Sequence, residues 1–361
     1  MQKGYLILET GQIFSGERCG AMEQDALGEL VFTTGMTGYL ETLTDPSYYG
    51  QIVMQTFPLI GNYGVIPEDF ESGRSFVRAY VAREFCDAPS NFRSSGALDA
   101  YLKAQGIPGL MGVDTRQLTR IVRERGVMNA MIKSKPQLTP EEQAALQGYA
   151  VTSAVQSVTC QHSFSEGAGR RVVLWDFGAK HNIRRMLLQR GCQVITVPGN
   201  TPAAEILALN PQGIMLSNGP GDPAENSKII QQLRFLFDTG IPMFGICLGH
   251  QLMALAYGGK TRKMKYGHRG ANQPAQNTQT GRVFITSQNH GYCVVGESLG
   301  AGAQMTYINA NDGTCEGVAY QRFPAFSVQF HPEACAGPLD TSFLFDQFID
   351  LMEGGVIHAI G

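Results

Sequence analysis

Residues 245–249 (GICLG) have the form glycine–x–nucleophile–x–glycine, between a predicted apolar strand (242–247) and a predicted helix (251–257). This pattern is typical of a nucleophile elbow, a strand-to-helix turn so sharp that small residues must flank the nucleophile. At a helix N-terminus the dipole and free N–H groups favour thiolate over thiol, so Cys247 is predicted to be nucleophilic. The N–H of Leu248 is predicted to point where an oxyanion would form. A packing role for this cysteine is the plainer alternative, which the elbow context disfavours.

A thiol nucleophile needs a base, and the base needs an orienting group. A strand predicted over 326–330 ends in the sequence HPE, which puts His331 and Glu333 two residues apart at a strand end. His331 is predicted to take the proton from Cys247 and return it to the leaving group, while Glu333 holds the imidazole tautomer. An isolated HPE is weak support, because most lone histidines are structural. Together with the elbow, it is much more specific.

The loop 217–223 (SNGPGDP) is the third chemical element. Residues 219–224 match the dinucleotide fingerprint G-x-G-x-x-A, but two prolines remove backbone N–H groups and suit a rigid loop better than a pyrophosphate cradle. Gly219 is instead predicted to offer a second N–H to the oxyanion. Residues 259–261 (GKT) resemble the end of a P-loop, but Ala254 stands where its first glycine should be. The sequence therefore predicts no ATP site in this chain.

The length of 361 residues predicts two domains, 1–150 and 171–361. Residues 151–170 are predicted to connect them, because this part of the chain is rich in Ser, Thr, Gln and Gly and shows no sustained period. After residue 170, strands and helices alternate. The predicted class is therefore α/β, with a C-terminal doubly wound, mostly parallel sheet preceded by a smaller mixed α/β domain. Sites in such sheets lie at the carboxyl ends of the strands.

Two helix starts are predicted from local chemistry in the first domain. Asp114, with Gln117 three residues later, is expected to cap one helix. Residues 139–142 (TPEE) form a capping box, with Pro140 at the first helical position.

The composition excludes several classes of function. The net charge of −3 shows no basic excess for nucleic acid, and no apolar run is long enough for a membrane span or a signal peptide. The eight cysteines, Cys335 included, form no CxxC pair, which argues against a zinc site or a disulfide framework and fits a reducing cytoplasm. No metal is predicted. The charged fraction of 16% fits a surface covered by a partner or a compact glycine-rich enzyme about equally well.

With these motifs in order, residues 171–361 resemble a class I (triad) glutamine amidotransferase domain through NGPGDP, GICLGHQ and HPE. The first domain resembles the small chain of carbamoyl-phosphate synthetase through VFTTGMTGYLETLTDPSYYGQIV, FPLIGNYG and GVDTRQLTRIVRERG. The resemblance covers essentially the whole chain. It implies a catalytic triad of Cys247, His331 and Glu333.

The resemblance also implies a glutamine site, to which Ser47 would contribute from the other domain. The segment SQNHGY departs from the family pattern at Tyr292, where phenylalanine is common, and backbone contacts there should survive the change. The implied glutamine-binding residues are Ser47, Gly219, Gly221, Leu248, Gln251, Asn289, Gly291 and Tyr292.

The function implied by the resemblance is hydrolysis of L-glutamine to glutamate and ammonia through a cysteine thioester. Ammonia would pass to a large synthetase subunit, which binds ATP with Mg and makes carbamoyl phosphate from bicarbonate. This chain itself would need no cofactor. A heterodimer is expected, and a higher oligomer of heterodimers stays open, as does the use of the product for arginine or pyrimidines.

Alternative functions are another amidotransferase or a stand-alone amidase such as a γ-glutamyl hydrolase, neither of which needs a large ATP-using partner. A non-catalytic regulatory subunit is disfavoured because Cys247, His331 and Glu333 are all present. A papain-like peptidase is disfavoured because its cysteine precedes its histidine from near the N-terminus.

Overall fold

The computed structural model describes residues 2–334 and 336–355. Cys335 and residues 356–361, which the sequence analysis assigned to the C-terminal domain, lie outside the described residues. The structure is of the mixed α/β class, as predicted. Among the helices of the described ranges, none combines the length and the apolar character that a membrane crossing requires.

The chain divides into two compact units, Met1–Val151 and Thr152–Gly361. Nearly all of the segment predicted as a connection, 151–170, falls in the second unit. It contains the helix Ala154–Val158 and the strand Phe164–Glu166. Both elements are short, so their few apolar residues leave no periodic pattern in the sequence. Part of the predicted connection therefore belongs to the packed second unit.

The first unit is built around a closed barrel. Its strands are β1 (Lys3–Leu8), β2 (Ile13–Gly20), β3 (Ala26–Thr33), β4 (Gln51–Gln55), β5 (Leu59–Ile60), β6 (Ala79–Val81), β7 (Glu84–Phe85), β8 (Pro108–Met111) and β9 (Met128–Lys133). The barrel closes in the order β1-β2-β8-β6-β4-β3-β9, while β5 and β7 pair with each other. Barrel closure was not predicted, because it depends on pairings between distant segments, such as β1 with β9.

Helices cover the barrel wall of the first unit. They are α1 (Tyr39–Thr44), α2 (Leu98–Ala104), α3 (Thr115–Arg125) and α4 (Pro140–Gly148). Successive residues of β3 join different apolar clusters: Leu30 packs in the cluster of Leu118 from α3, whereas Val31 packs in that of Leu40 and Leu102 from α1 and α2. Side chains alternate across a strand, so both faces of this strand are buried.

The two predicted helix starts are confirmed. The Asp114 carboxylate accepts a hydrogen bond of 2.9 Å from the N–H of Gln117. Thr139 and Glu142 exchange the two bonds of a capping box, at 2.8 and 3.2 Å, with Pro140 as the first helical residue. These side chains satisfy N–H groups that the first helical turn leaves without partners.

The second unit contains one large sheet with helices on both of its faces. Its strands are β10 (Phe164–Glu166), β11 (Arg170–Asp176), β12 (Cys192–Pro198), β13 (Gly213–Leu216), β14 (Met243–Ile246), β15 (Thr261–Asn277), β16 (Val283–Val294), β17 (Ala303–Asn309), β18 (Cys315–Tyr320) and β19 (Ala325–Val328). Its helices are α5 (Ala154–Val158), α6 (His181–Gln189), α7 (Ala203–Ala208), α8 (Ser227–Phe237), α9 (Leu248–Ala256) and α10 (Phe343–Met352).

The strand order is β10-β12-β11-β13-β14-β19-β18-β16-β15-β17. Strands β12, β11, β13, β14 and β19 are parallel, whereas the pairings of β15, β16, β17 and β18, and that of β10, are antiparallel. The prediction of a mostly parallel sheet is therefore wrong for about half of it. From residue 261 to β19 the described chain has no α-helix to serve as a crossover, and parallel neighbours require such a connection.

The parallel strands bury both of their faces. On one face, Val172 and Phe244 pack with Phe345 of α10. On the other face, Ile214 packs with Leu252 of α9. Because β13, β14 and β19 are adjacent and parallel, the loops that follow them leave from the same edge of the sheet.

Candidate active site

Cys247 lies in the turn between β14 and α9, with φ of +54° and ψ of −101°. This left-handed backbone is strained for any residue with a side chain. The flanking glycines have no room for one: a Cβ on Gly245 would lie 2.9 Å from the carbonyl carbon of Gly249, and a Cβ on Gly249 would lie 2.6 Å from the carbonyl oxygen of Leu216. The N–H of Cys247 donates to the carbonyl of Val328 at 2.9 Å. Packing and this bond therefore hold the strained turn in place.

The thiol of Cys247 is almost fully buried and contacts the carbonyl oxygen of Asn289, with a Sγ···O distance of 3.8 Å. In the described part of the chain, the backbone N–H groups of Gly219 and Leu248 make no hydrogen bond. These two residues touch, since a Cβ on Gly219 would lie 2.7 Å from Cδ2 of Leu248. Two unused backbone donors beside a nucleophile are what an oxyanion requires.

His331 and Glu333 follow β19 and are buried side by side. Nδ1 of His331 lies 2.7 Å from Oε1 of Glu333. Nζ of Lys180 lies 3.3 Å from the same oxygen and 3.2 Å from Nδ1. The N–H of His331 donates to the carbonyl of Ser287 at 2.9 Å, so the loop is also attached to β16.

Charges within this cluster shift the pKa values of His331 and Glu333. Burial and the Lys180 ammonium lower the pKa of His331, but Glu333 and the Cys247 sulfur outweigh them and raise it. Burial raises the pKa of Glu333, but the charges of His331 and Lys180 outweigh it and lower that pKa. Nε2 of His331 is buried without a hydrogen-bond partner among the described residues. The surroundings therefore favour a protonated imidazole between a carboxylate and the sulfur.

Lys180 is a member of this cluster that the sequence analysis missed. It precedes α6 in the loop that leaves β11, and its N–H donates to Oδ1 of Asn218 at 3.1 Å. The Asp176 carboxylate shapes this loop by accepting bonds of 2.8 and 2.7 Å from the N–H groups of Gly178 and Ala179. The signal that could have found Lys180 was its position just beyond the carboxyl end of a parallel strand.

The structure brings several of the predicted glutamine-binding residues together. Nε2 of Gln251 donates to the carbonyl of Tyr292 at 2.8 Å, three residues beyond the Asn289 carbonyl that the thiol contacts. A Cβ on Gly291 would lie 3.3 Å from the Arg269 guanidinium, so that guanidinium lies beside this position.

The surroundings of two other predicted residues, Gly221 and Ser47, are as follows. Gly221 has φ of +89°, and a Cβ there would lie 2.8 Å from the side chain of Ala154. Ser47 belongs to the first unit, where its N–H donates to Oδ1 of Asp45 at 2.8 Å. The role of Ser47 in binding glutamine stays a prediction.

A second buried polar cluster, also absent from the sequence analysis, lies on β15, β16 and β18. The possible ligand atoms of His268, His290 and Glu316 lie within 4.8 Å of one another. The Gln288 amide engages all three: its Oε1 lies 3.0 Å from a ring nitrogen of each histidine, and its Nε2 donates to Glu316 at 2.9 Å. These contacts make the cluster a hydrogen-bonded network that includes both neighbours of Asn289 on β16.

Each of the two units matches the model of a known protein family. The model of class-I glutamine amidotransferases matches residues 173–351, and the model of the carbamoyl-phosphate synthase small chain, CPSase domain, matches residues 6–132. The chain is 50% identical to the carbamoyl phosphate synthase small chain of Bacillus caldolyticus, over 99% of this chain and 100% of that protein. It is 48% identical to the protein of the same name from Listeria monocytogenes serotype 4b, with the same coverage.

Two solved structures resemble part of the chain. A protein of Thermoplasma acidophilum assigned to GMP synthase aligns with a TM-score of 0.46 and 21% identity, over 52% of this chain and 96% of that one. A glutamine amidotransferase from Thermotoga maritima aligns with a TM-score of 0.37 and 17% identity, over 51% and 85% of the two chains. On the family models and the full-length relatives, the chain belongs to the carbamoyl phosphate synthase small chain family and carries a class-I glutamine amidotransferase domain.

Proposed function

We propose that this chain hydrolyses L-glutamine to glutamate and ammonia through a thioester on Cys247. The observations that carry the proposal are the strained, buried Cys247, the electrostatic interaction of its sulfur with the His331 imidazole, and the 2.7 Å between Nδ1 of that imidazole and the buried Glu333 carboxylate. His331 acts as the base and then the acid, and Glu333 holds its tautomer. Ser47, Gly221, Gln251, Asn289, Gly291 and Tyr292 bind the substrate in this proposal.

The reaction begins when His331 takes the proton of the Cys247 thiol and the sulfur attacks the carboxamide carbon to form an S–C bond. The N–H groups of Gly219 and Leu248 hold the resulting oxyanion, and each such donor contributes about 10² to 10³ in rate. His331 then protonates the nitrogen, the C–N bond breaks and ammonia leaves. Water gives a proton to His331 and attacks the thioester carbon; the S–C bond then breaks, glutamate leaves, and His331 returns the proton to the Cys247 sulfur.

The family supports a proposal for the fate of the ammonia. Relatives at 50% and 48% identity are named as small chains of carbamoyl phosphate synthase, which supports a large partner chain. We propose that this partner binds ATP and Mg and uses the ammonia with bicarbonate to make carbamoyl phosphate. This chain itself then needs no cofactor.

A single substitution tests the assignment. Cys247→Ser should abolish glutamine-dependent synthesis of carbamoyl phosphate by the co-purified complex but spare synthesis from free ammonia. The matched control is Cys315→Ala, because Cys315 is equally buried and its pKa is raised to about 12, chiefly by burial. This control should keep glutamine hydrolysis.

Undiminished glutamine use by Cys247→Ser would refute the proposed nucleophile. Glutamine hydrolysis by a chain that recovers no ATP-using partner would instead favour a stand-alone amidase. Loss of synthesis from both glutamine and ammonia would mean that the substitution damages the complex rather than the glutamine reaction.

A further inference from the structure

The side-chain amide of Gln251 is held by two acceptors. Its Nε2 lies 2.8 Å from the carbonyl oxygen of Tyr292 and 2.9 Å from Oε1 of Gln329. A backbone carbonyl can only accept, so the Tyr292 contact identifies the nitrogen end of the Gln251 amide. Both N–H bonds of that nitrogen are therefore used. Oε1 of Gln251 makes no hydrogen bond within the described ranges.

The same reasoning orients Gln329. The atom that meets the second N–H of Gln251 must be an acceptor, so it is Oε1, and the other end of the amide is Nε2. Gln329 is fully buried, and this Nε2 has no hydrogen-bond partner in the part of the chain that the structure describes. A buried donor without a partner destabilises a fold. Gln329 thus keeps an unsatisfied atom while its oxygen serves Gln251.

Gln329 lies between the two elements that carry the candidate catalytic residues. It directly follows β19 and precedes His331 by two residues, and its N–H donates to the carbonyl of Glu316 at 2.9 Å. Gln251 belongs to α9, which begins immediately after Cys247. The Gln329 side chain therefore connects the end of β19, close to His331, with α9, which begins next to Cys247.

We propose that Gln329 is a positioning residue for glutamine binding, which rests on the proposed function above. By occupying the second N–H of Gln251, it leaves only Oε1 of Gln251 for the substrate. An oxygen acceptor recognises an N–H donor, which on glutamine is the carboxamide or the ammonium group. Gln329 itself does not touch the substrate.

The test compares Gln329→Leu and Gln329→Asn in the full-length chain with its co-purifying partner. Leucine removes the acceptor, and asparagine keeps the amide but is one methylene too short to reach Gln251. Each variant should raise KM for glutamine about tenfold, as expected for one lost hydrogen bond to a positioned group, with kcat changed much less. In the Gln251→Ala background, the same substitutions should add nothing to KM.

The matched control is Ser327→Ala. Oγ of Ser327 lies 2.8 Å from Nδ1 of His250, so this pair also joins β19 to α9 but does not contact Gln251. The control should leave KM unchanged even if it lowers stability.

Three outcomes would count against the inference. A KM within about twofold of the wild type in either folded Gln329 variant would overturn it, as would an undiminished effect in the Gln251→Ala background. A rise in KM for Ser327→Ala equal to that for Gln329→Leu would reduce the role of Gln329 to general packing. A wild-type complex that releases no glutamate from glutamine would instead overturn the proposed function itself.

Discussion

The second unit contains two buried histidine clusters that differ in how their hydrogen bonds are completed. In the cluster around His331, both Nε2 of that residue and Oε2 of Glu333 are buried without a partner among the described residues. In the cluster around His268, the described chain leaves no buried nitrogen or oxygen of His268, His290 or Glu316 unpaired. Both clusters combine imidazole with carboxylate, so composition alone does not distinguish them.

This difference in hydrogen bonding indicates that the cluster around His331 is the catalytic one. A buried polar atom without a partner costs about 1–3 kcal/mol, and the left-handed backbone of Cys247 adds a similar cost. Both costs fall within the cluster around His331. Strain and unsatisfied atoms concentrate at functional sites, whereas a fully bonded network such as that of His268 supports the strands around it.

The largest expected effect separates the two clusters directly. His331→Asn should lower kcat for glutamine hydrolysis at least about a thousandfold, because asparagine cannot take up the proton of the thiol. The matched change in the other cluster, His268→Asn, should lower kcat less than about tenfold. Glutamate release at saturating glutamine measures both. Equal losses would show that the clusters do not differ in function.

The second effect concerns stability. Burial lowers the pKa of His268, but Glu316 and Asp312 outweigh it and raise the pKa, so the folded state favours the protonated ring. His268→Asn leaves buried Glu316 without that charge and should lower the free energy of unfolding by about 3 kcal/mol. The raised pKa stabilises the fold below the unfolded value of about 6.5, and this gain is lost as pH rises through the folded pKa.

Urea unfolding at several pH values tests this prediction. The deficit of the His268→Asn variant should be largest near pH 6 and shrink at alkaline pH. A deficit that is the same at every pH would mean that His268 acts through packing and not through its charge. Asp312→Asn, at a half-exposed carboxylate, is the milder control and should cost less than about 1 kcal/mol.

The third effect sharpens the role of the carboxylate beside the base. In Glu333→Ala the charge that raises the pKa of His331 is gone, while burial and Lys180 still lower it. The imidazole should then be less basic and less well oriented, and kcat/KM should fall about tenfold to a hundredfold. The pH profile of kcat/KM measures the change. A loss as large as that of His331→Asn would contradict an orienting role.

The effect that is smallest at neutral pH comes from a buried histidine outside both clusters. Burial lowers the pKa of His250 to about 3, so the folded protein keeps this ring neutral. Between pH 6.5 and 3 the unfolded chain binds a proton that the folded chain does not. This group should therefore lower stability by about 1.4 kcal/mol for each pH unit below 6.5. His250→Gln should remove that slope in denaturant titrations, and an unchanged slope would show that the ring is protonated in the fold.

The sequence alone determined features whose parts lie within a few residues. The capping box at Thr139 and Glu142 was predicted because its partners are three positions apart. The elbow was predicted because Gly245 and Gly249 each lie two positions from Cys247, and the pair His331 and Glu333 because a single residue separates them. In each case the backbone between the groups is too short to place them elsewhere.

Tertiary structure decided everything that depends on which strands are neighbours. Lys180 reaches His331 across 151 positions of sequence, and Gln329 reaches Gln251 across 78. Those contacts, like the barrel of the first unit and the antiparallel part of the second sheet, require strand pairings that no local pattern encodes. The physical reason is that pairing energy belongs to two segments together, whereas propensity and spacing belong to one.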